Sequence, residues 1–457
     1  MNRTLSSFIF QNVAGPLSLL RVSYPLMLSS LSGSLMLLCD RFFLAKYSLN
    51  AFNALISFGA LIIMLQIGAN VCACAADVFV GQLNGANKTD AVSAPTWQMI
   101  WFSIFTNLLF IPLAFYLPDI LPDHLKEDTN AIFYCRLLIA FNSLSPLTCA
   151  LSTFFVGMKN TIIPLIATIA GNCINLFLNS LLIFGYKDLI PELGIKGAAI
   201  ATLLGQVTSI LFLSIAFFSA YNRKNYHTHK FNLDFSLLLK ILLLGAPNAL
   251  AQVAIASAWS FFFILIQGLG EASMTLASIM QTIFGFFVFI IQGLSRGIST
   301  TVANLIGKEQ IMEISQVLTS GVKLCFFFCM TILFILTFYP ELVIQLFFAN
   351  IEVPQILSYI EALKFTVFWG CLSFLFKSIR AIFSGLFTAS GHTKFVMINE
   401  AITIWVLFVL PVWICIQLFN YDVSWAYFIA FIHNVFTVGI YYWKFSKFEW
   451  KRNARLI

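Results

Sequence analysis

The sequence predicts an all-α polytopic membrane protein with twelve transmembrane helices in two pseudosymmetric six-helix bundles. Of its 457 residues, 60% are hydrophobic and only 10% are charged, whereas soluble domains average about 25% charged residues. Its apolar stretches are far longer than the alternating strands of roughly 10 residues that build membrane β-barrels. Two landmarks in the first half also recur in the second half, both at the same offset along the chain. We therefore expect helices, in two related halves, to satisfy the backbone within the hydrocarbon.

Twelve apolar stretches reach the length of about 20 residues that a helix needs to cross a bilayer. Several are longer than this minimum, so we expect those helices to tilt or to project beyond the hydrocarbon. In chain order, the predicted spans cover residues 17–45, 51–83, 93–118, 130–156, 162–186, 194–220, 236–267, 272–306, 314–338, 356–389, 394–418 and 423–444.

Charged residues in the loops predict the orientation of these helices. With the N-terminus inside, the inner loops and the C-terminal tail carry most of the loop lysines and arginines, as the positive-inside rule requires. We therefore expect an integral protein of a bacterial inner (plasma) membrane, with both termini cytoplasmic and no cleavable signal peptide. The net charge of +7 follows this loop distribution, so we expect a lipid bilayer and no nucleic acid as partner, and a monomer.

The internal repeat divides the chain. Pro25 in RVSYPLML recurs as Pro247 in LLGAPNAL, and Gly85 in VGQLNGANK recurs as Gly307 in VANLIGKEQ, so both pairs are separated by the same offset. Six spans per half make a parallel repeat, whose axis lies along the membrane normal, and such halves typically enclose a cleft that opens alternately to each side. The predicted domains are an N-terminal six-helix lobe (1–220), a cytoplasmic linker (221–240) and a C-terminal six-helix lobe with a basic tail (241–457).

Asp40 is a carboxylate inside the first apolar span, where a central Asp costs roughly 2.5–3.5 kcal/mol and commonly marks an ion or substrate pathway. Asn175 and Asn179 share one face of span five, and Thr202 lies at a similar depth in span six. Such an oxygen-rich set suits a small hard cation or a shared proton. The alternative is that Asp40 pairs with the adjacent Arg41 at the outer interface.

The second half carries its own intramembrane charges, namely Lys377 and Arg380 in span ten, Arg296 in span eight and Glu400 in span eleven. One interpretation is an internal ion-pair cluster in which Glu400 neutralises Arg380 or Lys377. The other is that some of these cations line the cleft and contact an anionic or zwitterionic substrate. In the first half, Asp77 of span two is a possible secondary acid, which could accept either a released proton or a hydrogen bond.

Several function classes are disfavoured. The chain has no GxxxxGK[ST] motif for ATP, and no Ser/His/Asp or metal-ligand cluster that would indicate an enzyme. The ten cysteines form no CxxC pair, so we expect free thiols, and we expect no cofactor. Three aromatic residues of span seven, Trp259, Phe261 and Phe262, could stack on a planar drug, although packing against lipid is the favoured interpretation. His392, at the cytoplasmic ends of spans ten and eleven, is expected to cap the loop between them rather than to relay protons.

Ordered motifs in both halves carry a family resemblance. In the first half they are CDRFF, VGQLNGANK, NCINLFLNSLLIFG and LGIKGAAIATLLGQ, and in the second GAPNAL, QGLSRGISTTVANLIGK and SGLFTASGHTKF. The chain resembles the MATE (multidrug and toxic compound extrusion) family, and is most similar to its DinF-like branch. The resemblance implies twelve helices in two bundles (the MATE fold), and export of organic solutes or drugs by alternating access, driven by inward H⁺ or Na⁺ flow.

The resemblance also implies which residues couple transport to ions. It points to Asp40 of span one, to the pair Asn175 and Asn179 of span five, and to Ala198 and Thr202 of GAAIAT. The family pattern N-x-x-x-D has an acid where this chain has Asn179, and span seven has no acid in PNALAQVAIASAW. One formal charge fewer favours H⁺ over Na⁺, because burial stabilises the protonated form of a lone carboxylate.

The predicted function is therefore a secondary antiporter that exports organic solutes and takes up protons, or less favourably Na⁺, through Asp40. The runner-up is a flippase of lipid-linked sugars, or an exporter of anionic metabolites, that uses the basic residues of the second half. A channel is the third class. Two related halves with a single buried acid suit alternating access better than a permanently lined pore.

Overall fold

The computed structural model describes residues 15–120, 129–187, 189–338, 360–419, 422–447, 451 and 454–457. Over these residues the chain is helical, and it holds twelve helical segments that are long and apolar enough to cross a membrane. The predicted all-α fold with twelve spans is thus confirmed.

The first six spans comprise nine helices, and a short helix follows them. Three of the predicted spans, the second, third and fourth, each consist of two consecutive helices. The helices are α1 (Pro16–Tyr47), α2 (Leu49–Cys74), α3 (Ala76–Gly85), α4 (Ala94–Phe105), α5 (Asn107–Ile120), α6 (Thr129–Ala140), α7 (Leu144–Gly157), α8 (Ile162–Phe184), α9 (Ile195–Phe217) and α10 (Ala220–Tyr226).

The last six spans are mostly continuous helices. They are α11 (Phe235–Gln267), α12 (Glu271–Gly307), α13 (Ile314–Phe338), α14 (Ile360–Ala389), α15 (Thr393–Ile404), a π-helical turn (Trp405–Val409), α16 (Leu410–Gln417) and α17 (Ser424–Ser446). In the π turn, the N–H of Leu410 bonds to the carbonyl of Trp405, five residues back. Pro411 follows directly, and the wider turn accommodates its ring, which has no N–H to donate.

The internal repeat is visible in the backbone at the ends of α3 and α12. Each helix is followed by a residue in the left-handed region, Asn87 with φ 54° and Glu309 with φ 62°. The N–H of the next residue bonds to the carbonyl five residues back, at 3.0 Å in the first half and 2.9 Å in the second. A short 3₁₀ helix then begins in each half, Thr89–Ala91 and Ile311–Glu313. Each of these features is separated from its counterpart by the same offset that separates Gly85 from Gly307.

By the density of its internal contacts the chain divides into two compact units. The first unit comprises Leu28–Ala249, Ile306–Glu309 and Leu456–Ile457, and the second comprises Met1–Met27, Leu250–Leu305 and Gln310–Arg455. Each unit has its own apolar core. In the first unit the core includes Phe58 and Tyr134, and in the second it includes Phe262 and Phe408.

Candidate functional site

Asp40 lies near the C-terminal end of α1 with only 7% of its surface exposed. The Nδ2 of Asn179, on α8, donates a hydrogen bond of 2.6 Å to its Oδ1. Arg41 is exposed, and among the described residues it forms no ion pair with Asp40. The carboxylate is therefore stabilised by an amide donor from another helix, and the neighbouring guanidinium does not neutralise it.

The same amide connects Asp40 to two further helix positions. Nδ2 of Asn179 also donates to Oδ1 of Asn175 at 3.0 Å. Asn175 in turn donates to the Thr202 hydroxyl at 3.4 Å, and that hydroxyl donates to the carbonyl of Ala198 at 2.9 Å. The structure thus brings the five predicted ion-coupling residues together, in a chain of hydrogen bonds from α1 through α8 to α9.

Close packing of α8 against α9 sets this geometry. A Cβ placed on Gly205 would lie 2.8 Å from the carbonyl oxygen of Gly171 and 2.9 Å from Cβ of Asn175. Only glycine at these positions lets the two backbones approach so closely, as small residues commonly do between membrane helices. The amide of Asn175 is therefore positioned next to Thr202 by backbone packing.

The hydrogen bonds also define the orientation of the Asn179 amide. The group between Asp40 and the Asn175 carbonyl is an NH₂, because it donates to an oxygen on each side. A metal cation would require oxygen atoms facing that position. The other amide atom, Oδ1 of Asn179, is buried without a hydrogen-bond partner among the described residues. In this orientation the amide presents a hydrogen-bond donor, and not an oxygen, to Asp40.

A second polar cluster lies in the second unit, between α14, α15 and α17. Nε of Arg380 is 3.4 Å from Oε2 of Glu400, and the Tyr441 hydroxyl donates to Oε1 of Glu400 at 2.9 Å. Arg380 and Glu400 are 7% and 5% exposed. This pair matches the interpretation of an internal ion pair, with a tyrosine satisfying the second carboxylate oxygen.

Arg380 also lines a cavity of about 260 Å³ within the second unit. Lys377, one helical turn earlier on α14, lines it too, whereas Glu400 does not. The lining residues come from α11, α12, α14, α17 and the end of α15 with its π turn. They are Trp259, Met280, Gln281, Phe284, Gly285, Val288, Gly370, Ser373, Phe374, Lys377, Arg380, Ile404, Phe408, Tyr427, Ala430, His433 and Asn434.

Three other predicted positions lie apart from these two clusters. Arg296 is half-buried on α12 and is not among the residues that line the cavity. Asp77 is buried in the first turn of α3, where the helix dipole favours a negative charge. His392 precedes α15, but its side chain does not cap that helix. Its Nδ1 lies 3.0 Å from the Ser390 carbonyl, and burial lowers the pKa of its imidazole, an effect that Lys444 reinforces.

Sequence reasoning missed part of the second cluster and misplaced two aromatic residues. His433 and Asn434, adjacent in the FIHNVF segment of span twelve, are buried and line the cavity. Two polar residues in succession within an apolar span were the available signal. The expectation that span-seven aromatics pack against lipid is wrong for Trp259, which lines the cavity, and for Phe262, which is 2% exposed in the core.

The internal repeat allows the position of Asp40 in the first half to be compared with the equivalent position in the second half. At the offset that relates Pro25 to Pro247, Phe262 of α11 is the counterpart of Asp40 of α1. The centroid of its ring lies 5.5 Å from the ring centroid of Phe408, and Phe408 lines the cavity. At this position the second half therefore has a buried aromatic ring where the first half has its acid.

Comparisons with known proteins agree with this architecture. The family model of MatE matches residues 25–181 and 247–414, one range in each half of the repeat. The probable multidrug resistance protein NorM of Thermotoga maritima is 24% identical over 444 residues, which are 96% of this chain and 94% of that protein. The probable multidrug resistance protein YoeA of Bacillus subtilis is 22% identical over 400 residues, 83% and 82% of the two chains.

Solved structures show the same fold. One is described as the outward-facing conformation of a multidrug resistance MATE family transporter of the MOP superfamily, with a TM-score of 0.82, 18% identity, and coverage of 96% of this chain and 98% of that one. Another is a MOP superfamily transporter from Pyrococcus furiosus, described as having a binding pocket of reverse polarity that suggests a different function. Its TM-score is 0.81 at 18% identity, with coverage of 97% and 98%.

The matched ranges cover most of the chain and begin at the two repeat landmarks Pro25 and Pro247. The full-length relative is named as a multidrug resistance protein, not as an enzyme. The chain belongs to the MatE family of multidrug efflux transporters.

Proposed function

We propose that this chain exports organic solutes by alternating access, and that inward proton flow through Asp40 drives the export. The observation that supports this is a buried carboxylate whose Oδ1 accepts a 2.6 Å hydrogen bond from Asn179, in a network that ends on Thr202. A charged Asp40 and a protonated Asp40 require different partners in this network. Protonation can therefore select between two arrangements of α1, α8 and α9.

The proposed switch depends on the Asn179 amide. Ionised Asp40 accepts from Nδ2, which also satisfies Asn175. Once protonated, Asp40 gains a donor, and Oδ1 of the same Asn179 is a buried acceptor without a hydrogen-bond partner among the described residues. Turning the amide to accept this proton withdraws Nδ2 from Asn175. A proton on α1 thereby breaks a contact within α8 and loosens the connection to α9, and substrate release follows that change.

We favour H⁺ over Na⁺ as the coupling ion, since the group has one formal charge and presents an amide NH₂ where a cation would need oxygen. We also propose that the chain belongs to the DinF-like branch of the family, since span seven has no acid in PNALAQVAIASAW. We further propose that it acts as a monomer in the bacterial inner membrane, with both termini cytoplasmic and no cofactor.

A second candidate function is the export of anionic solutes. The specific observation in its favour is that Lys377 and Arg380 both line the cavity of the second unit. This second candidate differs from the first only in the substrate, and the proposed coupling through Asp40 is the same in both.

Transport in proteoliposomes tests the coupling. Vesicles are prepared with an interior more acidic than the exterior, or separately with a Na⁺ gradient, and uptake of ethidium and of 2-naphthoate is measured. Antiport with protons predicts accumulation of the transported solute under the pH gradient, and none under the Na⁺ gradient alone. Asp40→Asn is expected to abolish accumulation. Asp234→Asn serves as the control, because this exposed acid only caps α11 and Asn caps equally well.

Two results would overturn the proposal. Gradient-driven accumulation by the Asp40→Asn variant at the wild-type rate would remove Asp40 from coupling. Accumulation driven by Na⁺, and not by the pH gradient, would replace the proton with Na⁺.

A further inference from the structure

The cavity of the second unit carries an excess of positive charge. Lys377 and Arg380 line it, and no Asp or Glu is found among the described residues of its wall. Glu400 lies behind the wall and neutralises one of the two cations through Nε of Arg380. The ammonium of Lys377 has no hydrogen-bond or ion-pair partner among the described residues. The net charge facing the cavity is therefore positive.

Several buried polar atoms on the same wall lack partners within the described part of the chain. They include Nη1 of Arg380, Nε2 of His433 and Oδ1 of Asn434, on side chains that are 7%, 4% and 5% exposed. Buried polar groups in proteins are nearly always paired, and a charged donor without a partner is the most costly case. An acceptor oxygen placed between Arg380 and Lys377 would satisfy both cations.

The rest of the wall is aromatic. Trp259 and Phe408 have ring centroids 5.5 Å apart, and Phe284 and Phe374 stack at 5.6 Å. Such faces bind flat apolar groups by offset stacking and edge-to-face contact. The volume of about 260 Å³ is just below the range of about 300–1,000 Å³ typical of ligand pockets. It suits a molecule of one or two fused rings, and it is too small for a lipid-linked sugar.

We propose that this cavity binds an organic anion with an aromatic body and one carboxylate or sulfonate group, which Lys377 and Arg380 contact. This names the substrate class of the proposed export and rests on that function for transport, whereas binding itself requires no gradient. Glu400 and Tyr441 act as positioning residues, because they orient Arg380 so that its Nη1 remains available to the ligand.

Equilibrium binding to the purified protein in detergent tests the assignment. The probes are 2-naphthoate and 2-naphthylmethylammonium, which share a ring system and differ in the sign of the charge. We expect 2-naphthoate to bind at least about tenfold more tightly than the cation, and Lys377→Met to lose about tenfold in affinity for it. The control is Lys323→Met, which removes an exposed lysine of α13 and is expected to bind as wild type does.

A second variant blocks the cavity without touching its charges. Gly285 lines the cavity, and a Cβ added there meets no atom within 4 Å. Gly285→Leu should therefore fold, fill the space and abolish 2-naphthoate binding. Gly439→Leu is its control, because Gly439 on α17 has equally open space and does not line the cavity.

Equal binding of the two probes would overturn the proposal, as would wild-type affinity in both Lys377→Met and Gly285→Leu. The outcome for coupling is separate. In Asp40→Asn, 2-naphthoate binding is expected to persist while gradient-driven transport is lost. Binding by wild type without gradient-driven transport overturns the coupling proposal alone, and gradient-driven ethidium transport without 2-naphthoate binding overturns this proposal alone.

Discussion

Returning an acid to position 179 should convert the Asp40 site into one that requires a cation. In Asn179→Asp an oxygen replaces Nδ2, which donates to Asp40 at 2.6 Å and to Asn175 at 3.0 Å. Each lost hydrogen bond costs roughly 0.5–1.5 kcal/mol net. Two carboxylates about 4 Å apart repel by a further ~4 kcal/mol at an effective dielectric constant of about 20. The ionised variant should therefore lose about 5 kcal/mol or more unless a proton or Na⁺ binds between the carboxylates.

Thermal unfolding in detergent measures this effect. Wild type and Asn179→Asp are compared in equal concentrations of NaCl and choline chloride at neutral pH. We expect the wild-type Tm to be the same in both salts. The variant should unfold at a lower temperature in choline and recover about half of the loss in Na⁺, because a ligand at one hundred times its Kd stabilises the folded state by about 2.7 kcal/mol.

The control is Asn172→Asp, on the same helix. Asn172 also donates to a residue of α1, the Ser32 hydroxyl at 2.7 Å, and the change creates no pair of acids. Asn172→Asp should show no difference between the salts. The reasoning is refuted if Asn179→Asp is as stable as wild type in choline and stays so when the pH is raised to 9, where a shared proton would be lost, since its carboxylate would then not face Asp40. A Na⁺-dependent Tm in wild type would refute the preference for protons.

Three further perturbations follow from the geometry. Asp40→Ala should lower the free energy of unfolding by about 1–3 kcal/mol more than Asp40→Asn, measured by denaturant titration, because Asn still accepts the hydrogen bond from Asn179. Arg380→Met or Glu400→Met alone should lower the free energy of unfolding by about 3–5 kcal/mol in the same titration, because each single change leaves a buried charge unpaired. The double variant should recover most of this loss. Burial lowers the pKa of His392 below its ordinary value of 6.5, so the unfolded state binds its proton more tightly. Stability should fall as the pH drops below about 6.5, and His392→Gln should remove that part of the loss when Tm is followed against pH.

Hydrophobicity alone locates the spans well and their interruptions poorly. Predicted spans such as 162–186 and 236–267 lie within two residues of α8 and α11 at each end, because roughly 20 apolar residues leave the chain no alternative in a bilayer. The break between α2 and α3 at Ala75 has no signature of its own. There the N–H of Ala75 bonds to the Cys72 carbonyl at 3.2 Å, which tightens the turn. No Pro or Gly next to Ala75 indicates this break in the sequence.

Four members of the Asp40 site were predictable because residue depth follows from counting along each span, and the resemblance added Ala198. The orientation of the Asn179 amide was not, because it depends on acceptors from different helices meeting in space. The cavity of the second unit was predictable only in part. Lys377 and Arg380 stand out as charges in an apolar helix, whereas the role of His433 depends on which face of α17 the packing buries.

The pairing of Asp40 with Phe262 across the repeat has a consequence for how such a chain can diverge. A duplicated bundle starts with the same residue at both positions, and a protein with an acid at both would tie each half to ion binding. Here one copy has the acid and the other has a ring that packs beside a cavity. Under the proposed function, mutations around the cavity can change what is exported while the energy source stays constant. The reverse also holds, so substrate range and driving ion can evolve as independent traits.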